Sequence, residues 1–164
     1  MKSGMLFLPL FFAIITSVTK DSIPSAGNVS IYPALNKTVL LQLVNDARKK
    51  GCSCGNKYFG PVPALNWNEQ LEKAAYSHSS DMSRNRYFSH TGSDGSGSGE
   101  RMERNGYSWR YYGENIAQGY PNEKAVVAGW LSSPGHCANI MNKNFKDMGA
   151  AKVGDYWTQD FGTK

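Results

Sequence analysis

Near its C-terminus the chain reads "FKDMGAAKVGDYWTQDFG", two short strand-like runs folded about Gly154-Asp155. Such a pair between strand-period segments is a hairpin signal, so these runs are expected to lie antiparallel. Upstream, "NKTVLLQLVNDARKKG" places Leu40, Leu43, Val44 and Ala47 at helical spacing, and the basic residues 48–50 with Gly51 mark its end. "NWNEQLEKAAYSHSSDMSRN" predicts a second helix, with Asn68 as N-cap and Leu71, Ala74, Ala75, His78 and Met82 on one face. "CSCGNKYFGPVPAL" between them is rich in turn formers and reads as a loop. Further on come a helical turn, "ERMERNG", stopped by Asn105-Gly106, and a strand running into a turn, "SWRYYGENIAQG". A third helix, "NEKAVVAGWLSS", follows Pro121 and is broken at Pro134-Gly135. Helices and mostly hairpin-linked strands alternate without the spacing of βαβ units. That pattern predicts an α+β fold, a three-layer α/β/α sandwich with a central antiparallel sheet.

The N-terminus reads differently. "MKSGMLFLPLFFAIITSVTK" has one basic residue ahead of an apolar run from Met5 to Ile15, the pattern of a secretory signal peptide. A membrane-spanning helix needs roughly 20 apolar residues, so the run is short for an anchor. Residues 1–20 are therefore expected to be a cleaved leader, with cleavage as late as about residue 26. Residues 21–34, rich in Ser, Pro, Gly and Asn, read as a linker, and 35–164 as one domain. The expected location is extracellular or periplasmic.

The formal charge of +5 comes from scattered basic residues rather than a stripe, which argues against nucleic-acid binding. In "RNGYSWRYYG" arginines interleave with aromatics, and the reading is aromatics covering a sheet with arginines at its edge. Three cysteines in an exported chain point to a disulfide. Cys52 and Cys54 are one residue apart and do not readily bridge each other, so Cys137 is expected to pair with one of them. Cys54 is the favoured partner, because Cys52 lies tight against Gly51; Cys52 is the alternative.

His78 falls on the apolar face of the second helix and reads as a buried structural residue. His90, in the polar loop "YFSHTGSDGSGSGE", and His136, in "WLSSPGHCANIM", have no packing reason to be histidine. Glu114 in "YYGENIA" is a carboxylate in apolar surroundings and needs a partner. It reads as a salt bridge or backbone cap, as the third ligand of a zinc site with His90 and His136, or as a second-sphere residue or general base beside two histidine ligands. His136 and Cys137 are adjacent on a helical turn and point about 100° apart, so they do not form a nucleophile–base pair. Ser132 or Ser133 with His136 lacks the strand–turn–helix setting of a serine nucleophile.

In order, "YFSHTGSDG", "YGENIA", "GWLSSPGHCANIM", "MGAA" and "YWTQDFG" resemble the CAP superfamily, the cysteine-rich secretory, antigen 5 and pathogenesis-related proteins that share the SCP domain. The bacterial single-domain branch is most similar, from about Leu35 to Phe161. The resemblance implies an α/β/α sandwich with a large cleft, faced in the fuller family pattern by two histidines and two glutamates, with the histidines holding a divalent ion, commonly zinc. His90 matches the first histidine, Glu114 the glutamate of GENxA and His136 the second histidine. The other glutamate falls near Ser133, where this sequence departs from the pattern; Ser133 and Asn115 are expected along the cleft. The function so implied is a monomeric secreted binding or effector module for a lipid, a sterol, another small ligand or a protein partner. The alternatives are a metal-dependent hydrolase with Glu114 as general base and a surface adhesion protein with a vestigial cleft.

Overall fold

The computed structural model describes Met1 and residues 35–164, so the leader and the linker of residues 21–34 lie outside the described residues. Helix α1, Lys37–Lys50, starts where the Asn36 side chain accepts from the Val39 N–H. It stops at Gly51, whose φ of 73° is one that side-chain-bearing residues avoid. A Cβ on Gly51 would also meet the Phe59 carbonyl oxygen at 2.7 Å. The next segment, expected as loop, contains a hairpin: β1, Cys52–Cys54, pairs antiparallel with β2, Lys57–Phe59. Strands of three residues are too short to show a period of two, which is why turn chemistry dominated the sequence signal.

The main sheet has the order β3-β5-β6-β4, formed by Asn66–Trp67 (β3), Asp147–Val153 (β5), Tyr156–Thr163 (β6) and Tyr111–Gln118 (β4). Strands β5 and β6 form the hairpin about Gly154-Asp155, and β4 pairs antiparallel with β6 along its whole length. The expectation of an antiparallel sheet needs one correction: β3 runs parallel to β5. It follows the β1/β2 hairpin and leaves directly into α2, Glu69–Asn85, and it is only two residues long.

Helix α2 lies across β5 and β6 on one face of the sheet, with the short α3, Ser98–Arg104, beside it. Gly149 makes that approach possible, since a Cβ there would sit 2.1 Å from the backbone nitrogen of Glu72. On the other face lie α1, α4 (Glu123–Ser132) and α5 (Pro134–Ile140). This is the α/β/α sandwich. The larger core, with Leu40, Val44, Trp130, Ile140, Trp157 and Phe161, fills the α1/α4/α5 side. Leu71, Ala74, Met102 and Tyr107 form a smaller one under α2 and α3.

Arg48, read from the sequence only as a helix-end cation, is fully buried. Its guanidinium donates to the carbonyls of Pro63 (2.7 Å), Ile140 (2.6 Å) and Asn142 (3.0 Å), tying α1 to the end of α5. Burial lowers its pKa to about 10, so the group keeps its charge at neutral pH.

Candidate functional site

Strand β4 is an edge of the sheet, and its alternation separates the site residues. Glu114 faces the α2/α3 layer, where it meets Arg101 of α3. Asn115 faces the other layer, where it meets α5. His90 and His136 therefore reach the edge strand from opposite sides.

On the first side, the Glu114 side chain is 2 % exposed and both its oxygens are engaged. Oε1 accepts from His90 Nδ1 at 2.7 Å, and Oε2 accepts from Arg101 Nη2 at 2.7 Å. Arg101 also donates to the carbonyls of His90 and Ser96, so one guanidinium holds both the carboxylate and the backbone of the histidine it serves. The loop carrying His90 has two further anchors. The buried His78 ring bonds the Ser89 carbonyl through Nε2 at 2.8 Å, and burial lowers its pKa, which keeps it neutral. Asp81 of α2 accepts from the Ser93 N–H (2.8 Å), the Ser93 hydroxyl (2.6 Å) and Asn85 (2.6 Å), and from the Tyr87 hydroxyl. Partial burial raises the Asp81 pKa, but these donors outweigh it and bring the value to about 2.

Behind Glu114 stands a residue that sequence reasoning missed. Asp160 of β6 is the direct cross-strand partner of Glu114 and is buried. Burial first, and the Glu114 charge second, push its pKa well above the usual carboxylate range, against the opposing pull of Arg101. With both groups ionised, neither Asp160 oxygen has a hydrogen-bond partner. A proton on Asp160 turns its contact with Glu114 into a donated hydrogen bond. The pair thus carries one negative charge opposite Arg101.

On the second side, His136 lies half-buried in the first turn of α5. Burial lowers its pKa, and the neighbouring His90 lowers it further, so the ring is neutral at physiological pH. Asn115, expected along the cleft, is fully buried between β4 and α5. Its amide donates to the His136 carbonyl (3.2 Å) and to Gln159 (3.1 Å), and it accepts from Asn139 at 2.9 Å. Ser133 caps α5 by position without a side-chain hydrogen bond and is half-buried, three residues before His136 on the same side of the helix.

The disulfide joins Cys54 to Cys137, as favoured from the sequence, and Cys52 is free. It fastens α5 to β1 at the residue after His136.

Of the readings of Glu114, the salt bridge and the second-sphere support match its contacts. Its two oxygens are taken by His90 and Arg101. Among the described residues, the one group of three His, Cys, Asp or Glu ligand atoms within 4.8 Å of one another is the cysteine trio. The Glu114 contact engages His90 through Nδ1, on the ring side away from Nε2. The same contacts leave the Glu114 side chain 2 % exposed. For a divalent cation such as zinc, the donors that fit are His90 Nε2 and the neutral His136 ring, two imidazole nitrogens. A groove of about 770 Å³ along α2 and β5 is lined by none of these residues.

The three-layer sandwich, with an edge strand bearing the motif that includes Glu114, is that of an SCP-type domain. The chain belongs to the Cysteine-rich secretory protein family, CAP, which matches residues 41–161. YkwD of Bacillus subtilis is 38% identical over 145 residues, 87% of this chain and 51% of that protein. The membrane protein YlbC of B. subtilis is 35% identical over 97 residues, 59% of this chain and 28% of that protein. The chain thus spans about half or less of the curated relatives it matches. An extracellular SCP-domain protein of Bacillus anthracis superposes with a TM-score of 0.64 at 32% identity, over 77% of this chain and 41% of that one. An outer surface protein of Borrelia burgdorferi has the same fold, with a TM-score of 0.66 at 23% identity over 82% and 99% of the two chains. Among the described residues no helix is long and apolar enough to cross a membrane.

Proposed function

We propose that this chain is an exported CAP-domain binding module whose cleft holds a divalent cation, zinc in preference to calcium or magnesium, between His90 and His136. One observation carries the reading: the buried Glu114 carboxylate, itself pinned by Arg101, accepts from His90 Nδ1 and so aims a free imidazole nitrogen outward. Carboxylate–imidazole pairs of this kind recur behind metal-ligating histidines. The neutral state of His136 serves the same purpose, since a protonated ring does not ligate. Two protein nitrogens leave the cation's other positions open, as a binding module for a small ligand or a protein partner requires. A bound cation would supply positive charge and Lewis acidity there; the chain itself contributes orientation. The extracellular and outer-surface relatives, together with the leader-like N-terminus, support export. Glu114 is too enclosed to support the hydrolase reading.

Calorimetric titration tests the proposal. Wild-type protein is expected to bind Zn²⁺ and to show no comparable heat with Ca²⁺ or Mg²⁺. His90→Ala/His136→Ala abolishes the binding, and Ser133→Glu, which adds a carboxylate beside His136, tightens it about fivefold, the equivalent of about 1 kcal/mol. Equal zinc affinity in the double-alanine variant overturns the assignment.

A further inference from the structure

Cys52 and Cys54 stand on one face of β1, two residues apart, with Ser53 turned away between them. Both face Cys137 on α5. Cys54 is bonded to it, yet the free Cys52 Sγ lies only 3.6 Å from Cys137 Sγ. All three sulfurs fall within 4.8 Å of one another. Cys54 and Cys137 are buried, whereas Cys52 is half-exposed. A structural crosslink needs two cysteines, and the third has no hydrogen-bonding or packing role that a serine or valine would not fill.

We propose that Cys52, Cys54 and Cys137 form a thiol–disulfide exchange site in which the crosslink migrates between Cys54–Cys137 and Cys52–Cys137. The thiolate of Cys52 attacks Cys137 Sγ. A Cys52–Cys137 bond forms, the Cys54–Cys137 bond breaks, and its electron pair leaves on Cys54, which takes up the proton that Cys52 gave to solvent. Two cysteines remain oxidised and one reduced throughout, so no oxidant or reductant is consumed. The three sulfurs form a compact triangle rather than a line, and rotation of the half-exposed Cys52 side chain about Cα–Cβ provides the in-line approach.

Chain entropy does not choose between the two pairings. They span 85 and 83 residues, and the logarithmic dependence on loop length makes that difference negligible against RT. Local packing at β1 and α5 therefore sets the balance. Burial raises the Cys52 pKa, so the thiol is the resting form and exchange quickens as pH rises. Because Cys137 follows His136 directly, moving the crosslink by two residues of β1 changes the anchorage of the cleft histidine.

The test uses the wild-type chain purified without reductant. The protein is incubated at pH 8.5, quenched in acid, denatured and alkylated with N-ethylmaleimide while still acidic, and mapped without reduction. Label is expected at Cys52 alone at time zero and at both Cys52 and Cys54 at equilibrium, with a rate independent of protein concentration. Label confined to Cys52 after prolonged incubation, while unfolded protein in the same buffer scrambles, overturns the proposal. So does a rate that rises with protein concentration, which would mark exchange between molecules. Cys54→Ser gives a second reading: oxidised and folded by circular dichroism, it should contain Cys52–Cys137, and a folded variant with both thiols free contradicts the exchange.

Discussion

Neutralising Glu114 should cost little so long as Asp160 is present, and much once it is gone. Arg101 is a buried cation, its side chain 6 % exposed, and it faces a carboxylate pair that shares one negative charge. In Glu114→Gln the neighbouring anion and its hydrogen bond no longer raise the Asp160 pKa, and the pull of Arg101, left without another carboxylate, is expected to draw Asp160 into the role of counter-charge against the opposition of burial. The loss is then confined to hydrogen-bond quality, about 1–2 kcal/mol. In Asp160→Asn a neutral group replaces a neutral group of the same size, at about 0–1 kcal/mol. The double variant leaves a buried guanidinium without any carboxylate, a situation that costs about 3–5 kcal/mol. The cycle should therefore show a coupling energy of about 1–3 kcal/mol. Urea unfolding of the four proteins measures it, with unchanged m-values as the check that the same transition is compared. If the double variant equals the sum of the singles within about 0.5 kcal/mol, the shared-charge account is wrong.

Two further outcomes follow from buried or anchored charges. The Asp81 pKa is depressed in the folded state, to about 2 from 3.8, so its contribution to stability is present at neutral pH and lost as pH falls from about 4 toward 2. The stability gap between wild type and Asp81→Asn, followed by denaturant titration, should close across that window; a gap unchanged between neutral pH and pH 3 refutes the assignment. Arg48→Met should destabilise by about 2–4 kcal/mol, because the carbonyls of Ile140 and Asn142 lose their donor, offset in part by relief of the buried charge. A variant melting with the wild type would show that water satisfies those carbonyls.

Features written in local chemistry were legible in the sequence. Asn68 caps α2 and Gly51 ends α1, because caps and left-handed stops depend on a few adjacent residues. The Cys54–Cys137 pairing was accessible because few cysteines allow few partners. His90 and His136 stood out because packing gave no reason for a histidine there, and Glu114 as a carboxylate in apolar surroundings. What stayed hidden depends on register. Asp160 is an acidic residue in a strand until β6 pairs with β4 and sets it against Glu114. Arg101 looked like any helix-surface arginine, and the meaning of Arg48 comes from a carbonyl 92 residues away. The role of Glu114 changed for the same reason: its partners are supplied by α3 and the His90 loop, so a ligand by residue type became a support by position.

The crosslink between β1 and α5 fastens two elements of one layer to each other. His136 sits on that covalently closed half, whereas His90 belongs to the α2/α3 half, which packing and hydrogen bonds alone hold against the sheet. The two jaws are therefore hinged unequally. In a partial opening the α2/α3 side can lift away with its histidine while the other stays shut, and the sulfur bridge does nothing to prevent it. On the proposed reading, a cation held by both histidines would latch the unbolted side and favour the docked state by an amount that grows with the cation's concentration.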